Sequence, residues 1–146
     1  MTARTTTPRK KPAGFTDEEK SAMRMRIKEL QSDKDKSEGE SVVLAKIDEL
    51  SEPDRALAKR IHSIVKASAP NLTPRLWYGM PAYEKSGKII CHFQGAYKFK
   101  TRYATIAFGD SAKLDDGAVW PVAYALTKLS AADEAKIGAL IKKAAG

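Results

Sequence analysis

The sequence predicts an α+β domain in two layers, an antiparallel β-sheet of about five strands packed against N-terminal and C-terminal helices. Two observations predict it. Apolar residues recur at spacings of three and four before Pro70 and again after Ser130, whereas from Leu76 to Phe108 the period changes to two. The breaks between the strand-like runs are a few residues long, too short for crossovers, so neighbouring strands run antiparallel. A chain of 146 residues, 42% hydrophobic and 30% charged, is one domain's worth and long enough to bury a core.

Residues 1–14 read as a disordered basic tail, because Pro8 and Pro12 break any amphipathic helix there. Residues 15–40 read as an extra helix and a linker ahead of the α+β domain at 41–146. Thr16 and Glu19 form a capping-box signature, and Asp17, Glu18 and Glu19 suit the positive end of a helix. Met23, Ile27 and Leu30 add a thin apolar stripe. That helix is predicted to fade near Asp33, with Ser32 to Glu40 as the linker. A second helix carries Val42, Val43, Leu44, Ile47 and Leu50 behind a Ser41 cap. A third starts at Pro53, with Ser51 and Asp54 as another capping box, and turns Leu57, Ile61, Ile64 and Val65 inward. Ala69-Pro70-Asn71 ends it.

Strands are predicted at Leu76–Tyr78, Ala82–Lys85, Lys88–Phe93, Tyr97–Tyr103 and Thr105–Phe108. Gly79-Met80-Pro81, Ser86-Gly87 and Gln94-Gly95-Ala96 separate them. The Ser86-Gly87 loop has two or three residues, and its length decides which face Tyr83 occupies. Gly109 to Pro121 reads as a loop and Val122–Leu126 as a last strand. Ser130 and Asp133 cap a closing helix whose Ile137, Leu140, Ile141 and Ala144 face the core.

No apolar run approaches the ~18 residues of a membrane span, and the N-terminus lacks the apolar stretch of a secretory signal. Cys91 is the sole cysteine, which suits a reducing, cytoplasmic setting. The net charge is +8. Arg4, Arg9, Lys10 and Lys11 supply four positive charges in the tail, and Lys85, Lys88, Lys98, Lys100 and Arg102 follow one another with no acid between. Such an excess attracts anionic partners.

A hairpin turning at Gln94-Gly95-Ala96 sets Phe93 opposite Tyr97 and Cys91 opposite Phe99. On the other face it sets His92 opposite Lys98, Ile90 opposite Lys100 and Lys88 opposite Arg102. Like charges facing each other across strands are unfavourable. Such a face is either solvated or used on an anion, and Lys88, Lys98, Lys100 and Arg102 are the candidates for binding phosphate or single-stranded nucleic acid. The one Cys and two His are too few for a zinc site. A hard cation such as iron would need a carboxylate cluster, for which Asp110, Asp115 and Asp116 are the candidates, against the alternative that they form turns. Cys91 sits in an apolar strand where a thiol is inert packing, and neither a G-x-S-x-G elbow nor a dinucleotide fingerprint occurs. No catalytic residue is assigned, and a non-enzymatic protein is expected.

The stretch "LWYGMPAYEK" gathers Trp77, Tyr78, Met80 and Tyr83 round a Gly-Met-Pro corner. Those side chains either build core or line a shallow pocket for a small ligand. "WYGMPAY", followed by "SGKIICHF" and "YKFK", resembles the Tyr-Gly-Met-Pro-Ala-aromatic signature of the YdhG-like domain family of bacteria. "VLAKIDELSEPDRALAKRIHSIVKASAP" is similar to that family's helical pair and "LSAADEAKIGALIKKA" to its closing helix, so the resemblance covers about residues 41–146. It implies the α+β fold. Some relatives are described as frataxin-like intracellular iron chaperones, so it also implies small-ligand or metal handling, with iron as the cargo. The residues themselves leave the anion or nucleic-acid reading beside it.

Overall fold

The computed structural model describes residues 16–146, apart from the side chains of Ser32, Asp33 and Asp35. The basic tail at 1–14 lies outside the described residues. Helix α1 (Asp17–Asp48) leads to α2 (Asp54–Ser68), and then come β1 (Thr73–Trp77), β2 (Met80–Lys85) and β3 (Lys88–Gln94). One helical turn, α3 (Ala96–Phe99), precedes β4 (Ala104–Phe108), β5 (Ala123–Leu126) and α4 (Ala131–Ala145). The five strands form one antiparallel meander in chain order. The predicted α+β fold is therefore the fold of the chain.

The chain divides into two compact units, residues 1–35 and 36–146. The described part of the first is the start of α1. Half of its predicted capping box is present, Thr16 Oγ1 accepting the Glu19 N–H at 3.1 Å, while the Thr16 hydroxyl donates to the Glu19 carboxylate at 3.1 Å. Met23, Ile27 and Leu30 of the predicted stripe are all exposed. In the second unit Val43 and Ile47 of α1, Ile61 and Val65 of α2, and Ile141 of α4 pack with Tyr83, Phe93 and Ile106 of the sheet. Ser130 and Asp133 cap α4 reciprocally, as predicted.

Four expectations need correction. Ser32 to Glu40 is helix, not linker, and the predicted first and second helices are one. The stretch holds no proline, and the propensity cost of each Ser, Asp or Gly39 in it is about 1 kcal/mol or less, too little to break the helix. Asp54 makes no capping bond at the start of α2, because its carboxylate is used elsewhere. The first hairpin turns at Tyr78-Gly79, with Trp77 paired to Met80, rather than at Gly79-Met80-Pro81. Tyr97–Tyr103 is not a strand. The partner of β3 is β4, with Cys91 opposite Phe108 and Phe93 opposite Ile106.

Both tight hairpins have two-residue loops with positive φ at each position, 51° and 76° at Tyr78-Gly79 and 53° and 79° at Ser86-Gly87. That backbone matches the twist of the flanking strands. With Lys85 paired to Lys88, the open question about the second loop resolves to two residues. A bulge follows, Tyr83 opposing Cys91 while Glu84 opposes Ile89, and Tyr83 is wholly buried.

Candidate functional site

The meander carries the Tyr78-Gly79 turn and the Gly95–Tyr103 connection to the same end of the sheet. Ser86-Gly87, Lys88 and the Gly109–Pro121 loop lie at the other. The first end presents three large aromatic side chains to solvent: Tyr78 is 80% exposed, Tyr97 75% and Phe99 39%. The left-handed backbone of the turn throws Tyr78 outward, where it meets the edge of Trp77 with ring centres 5.0 Å apart. Trp77 in turn packs on the His92 ring at 5.0 Å, so the outer ring stands on a half-buried base.

The second half of this end is held by a carboxylate from α2. Asp54 is buried and accepts the Ala96 N–H at 3.1 Å and the Tyr97 N–H at 2.9 Å. Gly95 allows that approach, since a Cβ there would stand 2.7 Å from Asp54 Oδ2. Lys100, in the left-handed conformation at φ 55°, closes the turn with its N–H on the Ala96 and Tyr97 carbonyls. The turn thus replaces the predicted strand and spaces its cations round a knuckle. Lys98 reaches back over Gly79, where a Cβ would meet its Nζ at 2.7 Å, and sits 5.7 Å from the Phe99 ring centre. The Arg102 guanidinium lies 5.1 Å from the Tyr103 ring centre. Among the described residues no carboxylate is paired with Lys98, Lys100 or Arg102.

The four predicted anion-binding residues therefore do not share a sheet face. Lys98, Lys100 and Arg102 come together beyond the end of β3, whereas Lys88 begins that strand, about 20 Å away for a seven-residue strand. The four predicted pocket residues differ in exposure and do not line one pocket. Tyr83 is core, Met80 is 8% exposed, Trp77 is half-buried, and Tyr78 projects into solvent. A groove of about 260 Å³ opens elsewhere, between β5 and α4, lined by Tyr124, Leu129 and Ile137 among others. Asp110, Asp115 and Asp116 lie exposed in the long loop. Among the described residues no three His, Cys, Asp or Glu side chains are grouped as metal ligands would be. Cys91 is buried, and burial pushes its thiol up to about 12, far from the thiolate a nucleophile needs. Tyr97 and Phe99 join the site although the sequence pattern had placed them within a strand. Their signal was Gly95, two residues before Tyr97.

A second polar cluster, buried at His62 and Tyr83 and open to solvent at Lys66, went unread in the sequence. His62 of α2 and Tyr83 of β2 share a hydrogen bond, Nδ1 to Oη at 2.9 Å. Glu40 of α1 takes the Lys66 ammonium at 2.6 Å and faces His62 Nε2 at 3.7 Å. The Lys66 hydrogen bond holds the Glu40 carboxyl below its ordinary value. Burial holds the His62 imidazole below its ordinary value, although Glu40 pulls the other way. Burial also pushes the Tyr83 phenol up, so it stays protonated. No helix of the described residues is long and apolar enough to cross a membrane. Comparison with family models, with curated proteins and with solved structures finds no match to this chain, so the YdhG-like resemblance rests on the quoted sequence stretches alone.

Proposed function

We propose that the chain is a non-enzymatic binding module for single-stranded nucleic acid, taken at the end of the sheet that carries Tyr78, Tyr97 and Phe99. One observation carries this reading: exposed aromatic rings stand among three cations without a paired carboxylate, on turns that Asp54 and the Trp77–His92 contact hold in place. Every base has a π-face, so stacking on tyrosine is sequence-tolerant, and the cations follow the phosphates. The net charge of +8 would speed the encounter.

Fluorescence anisotropy of a labelled single-stranded oligonucleotide tests it. The affinity should fall with salt on a log–log slope of about −2 if three phosphates are met. Replacing Lys98 and Arg102 by Ala and Lys100 by Gly should flatten that slope. Glycine suits the left-handed position of Lys100, so the charge leaves without strain. Tyr97→Ala should weaken binding by about 1–3 kcal/mol and leave the slope alone. Unchanged anisotropy at low salt refutes the reading. So does binding that survives the triple variant but disappears when residues 1–14 are removed, since the basic tail would then be the site.

A further inference from the structure

His62 is 5% exposed, yet among the described residues its Nε2 atom has no hydrogen-bond partner, the Glu40 carboxylate standing 3.7 Å away. Buried polar atoms are nearly always satisfied, so an exception calls for a physical account. The charged and titratable groups facing this ring are Glu40 from α1, Lys66 from its own helix, Tyr83 from β2 and, beyond Tyr83, Cys91 of β3. We propose that Glu40, His62 and Lys66 form a proton-operated latch: with His62 neutral the Lys36–Asp48 segment of α1 stays clasped to α2, and uptake of one proton by His62 releases it.

The neutral state has a defined arrangement. A carboxylate facing Nε2 favours the ring proton there, leaving Nδ1 to accept the Tyr83 hydroxyl. Glu40 stays 3.7 Å away because its shorter bond is to Lys66, at 2.6 Å. An added proton goes to Nδ1, and the Tyr83 hydroxyl must turn to accept it. Its own hydrogen is then left inside the core, where Tyr83 is 0% exposed. Among the described residues the imidazolium has one carboxylate in reach, that of Glu40, already shared with Lys66. Water must reach the ring, and α1 is the wall that gives way. The segment is held by Val43 and Ile47, the Glu40 clasp and the Lys36 ammonium on the Pro70 carbonyl. By contrast α2 buries Leu57, Ala58, Ile61, Ile64 and Val65, and β2 is bonded on both sides.

Hydrogen exchange of the full chain, corrected for intrinsic amide rates, tests the latch between about pH 7.5 and about pH 5, where carboxylates stay ionised. Protection in residues 40–48 should fall by about tenfold or more on acidification while β2, β3 and β4 keep theirs. His62→Gln, which takes up no proton, should remove that pH dependence. The proposal is overturned if the segment keeps its protection, if it loses protection together with the sheet, or if His62→Gln responds as the parent does. A second measurement serves if His62→Gln does not fold. The His62 ring, told from His92 by a His92→Gln variant, must titrate by NMR with the midpoint of the opening, and differing midpoints overturn the latch.

Discussion

At the scale of the residue, Asp54 shows how one side chain decides what a whole stretch becomes. By itself "AYKFKTRY" alternates well enough for a strand. The carboxylate of Asp54 offers the N–H groups of Ala96 and Tyr97 two charge-assisted acceptors, and an isolated strand offers neither. The turn forms, and Tyr97 and Phe99 point to solvent instead of pairing with β3. Asp54→Ala should leave both N–H groups without an acceptor and cost about 2–3 kcal/mol in urea unfolding. Asp54→Asn keeps one amide oxygen and should fall between. If the turn also positions the binding surface, Asp54→Ala must weaken oligonucleotide binding without changing any exposed charge. An unfolding midpoint equal to the parent's for Asp54→Ala would show that the turn stands without its anchor.

At the scale of the element, the contact between α1 and β1 depends on a missing side chain. A Cβ built on Gly39 would run into the Pro74 carbonyl oxygen, which is backbone and has no rotamer to move. Glycine is a poor helix residue, and here its cost of about 1 kcal/mol allows helix and strand to touch. Gly39→Ala raises helix propensity yet should destabilise the chain by about 1–3 kcal/mol, the range for forced overpacking. A thermal midpoint raised by that substitution would mean that α1 does not rest on β1. The elements differ in how much of this the sequence carried. Helices α2 and α4, the strands round Ser86-Gly87 and the Ser130 capping box were legible because their determinants lie within a few residues of one another. Whether α1 broke at Ser32–Glu40 was not, because the polar run there has weak preferences of its own. The Tyr97–Tyr103 strand failed for the opposite reason: its own preference was clear, and a carboxylate 42 residues away overrode it. The candidate site followed suit. Lys98, Lys100, Arg102 and Tyr78 could be picked by residue type, but their grouping, and the exclusion of Lys88, depended on that override.

At the scale of the whole molecule, acid should act on stability through buried histidines before it acts through carboxylates. Burial holds both His62 and His92 below the ordinary histidine value. The unfolded chain takes up a proton at each as pH falls past about 6.5, while the folded chain takes it up less readily. The unfolded state thus binds more protons, and stability rises with pH in that window and is lost as pH falls through it. The loss is bounded at about 2 kcal/mol per histidine by pH 5, the protonation free energy that an unperturbed imidazole gains there. Glu40 adds to the loss only lower down. Its carboxyl is held below 4.5 by Lys66, so its contribution is intact above that value and disappears as pH falls through its folded value. Urea midpoints measured from about pH 7.5 to about pH 4 should therefore decline in two stages, with the first starting near 6.5. His62→Gln and His92→Gln should each remove part of the first stage and leave the second in place. A profile flat down to about pH 5 would mean that both rings take up protons inside the fold as readily as in water. Burial would then not govern their titration, and the fold would have to hydrate both rings without opening.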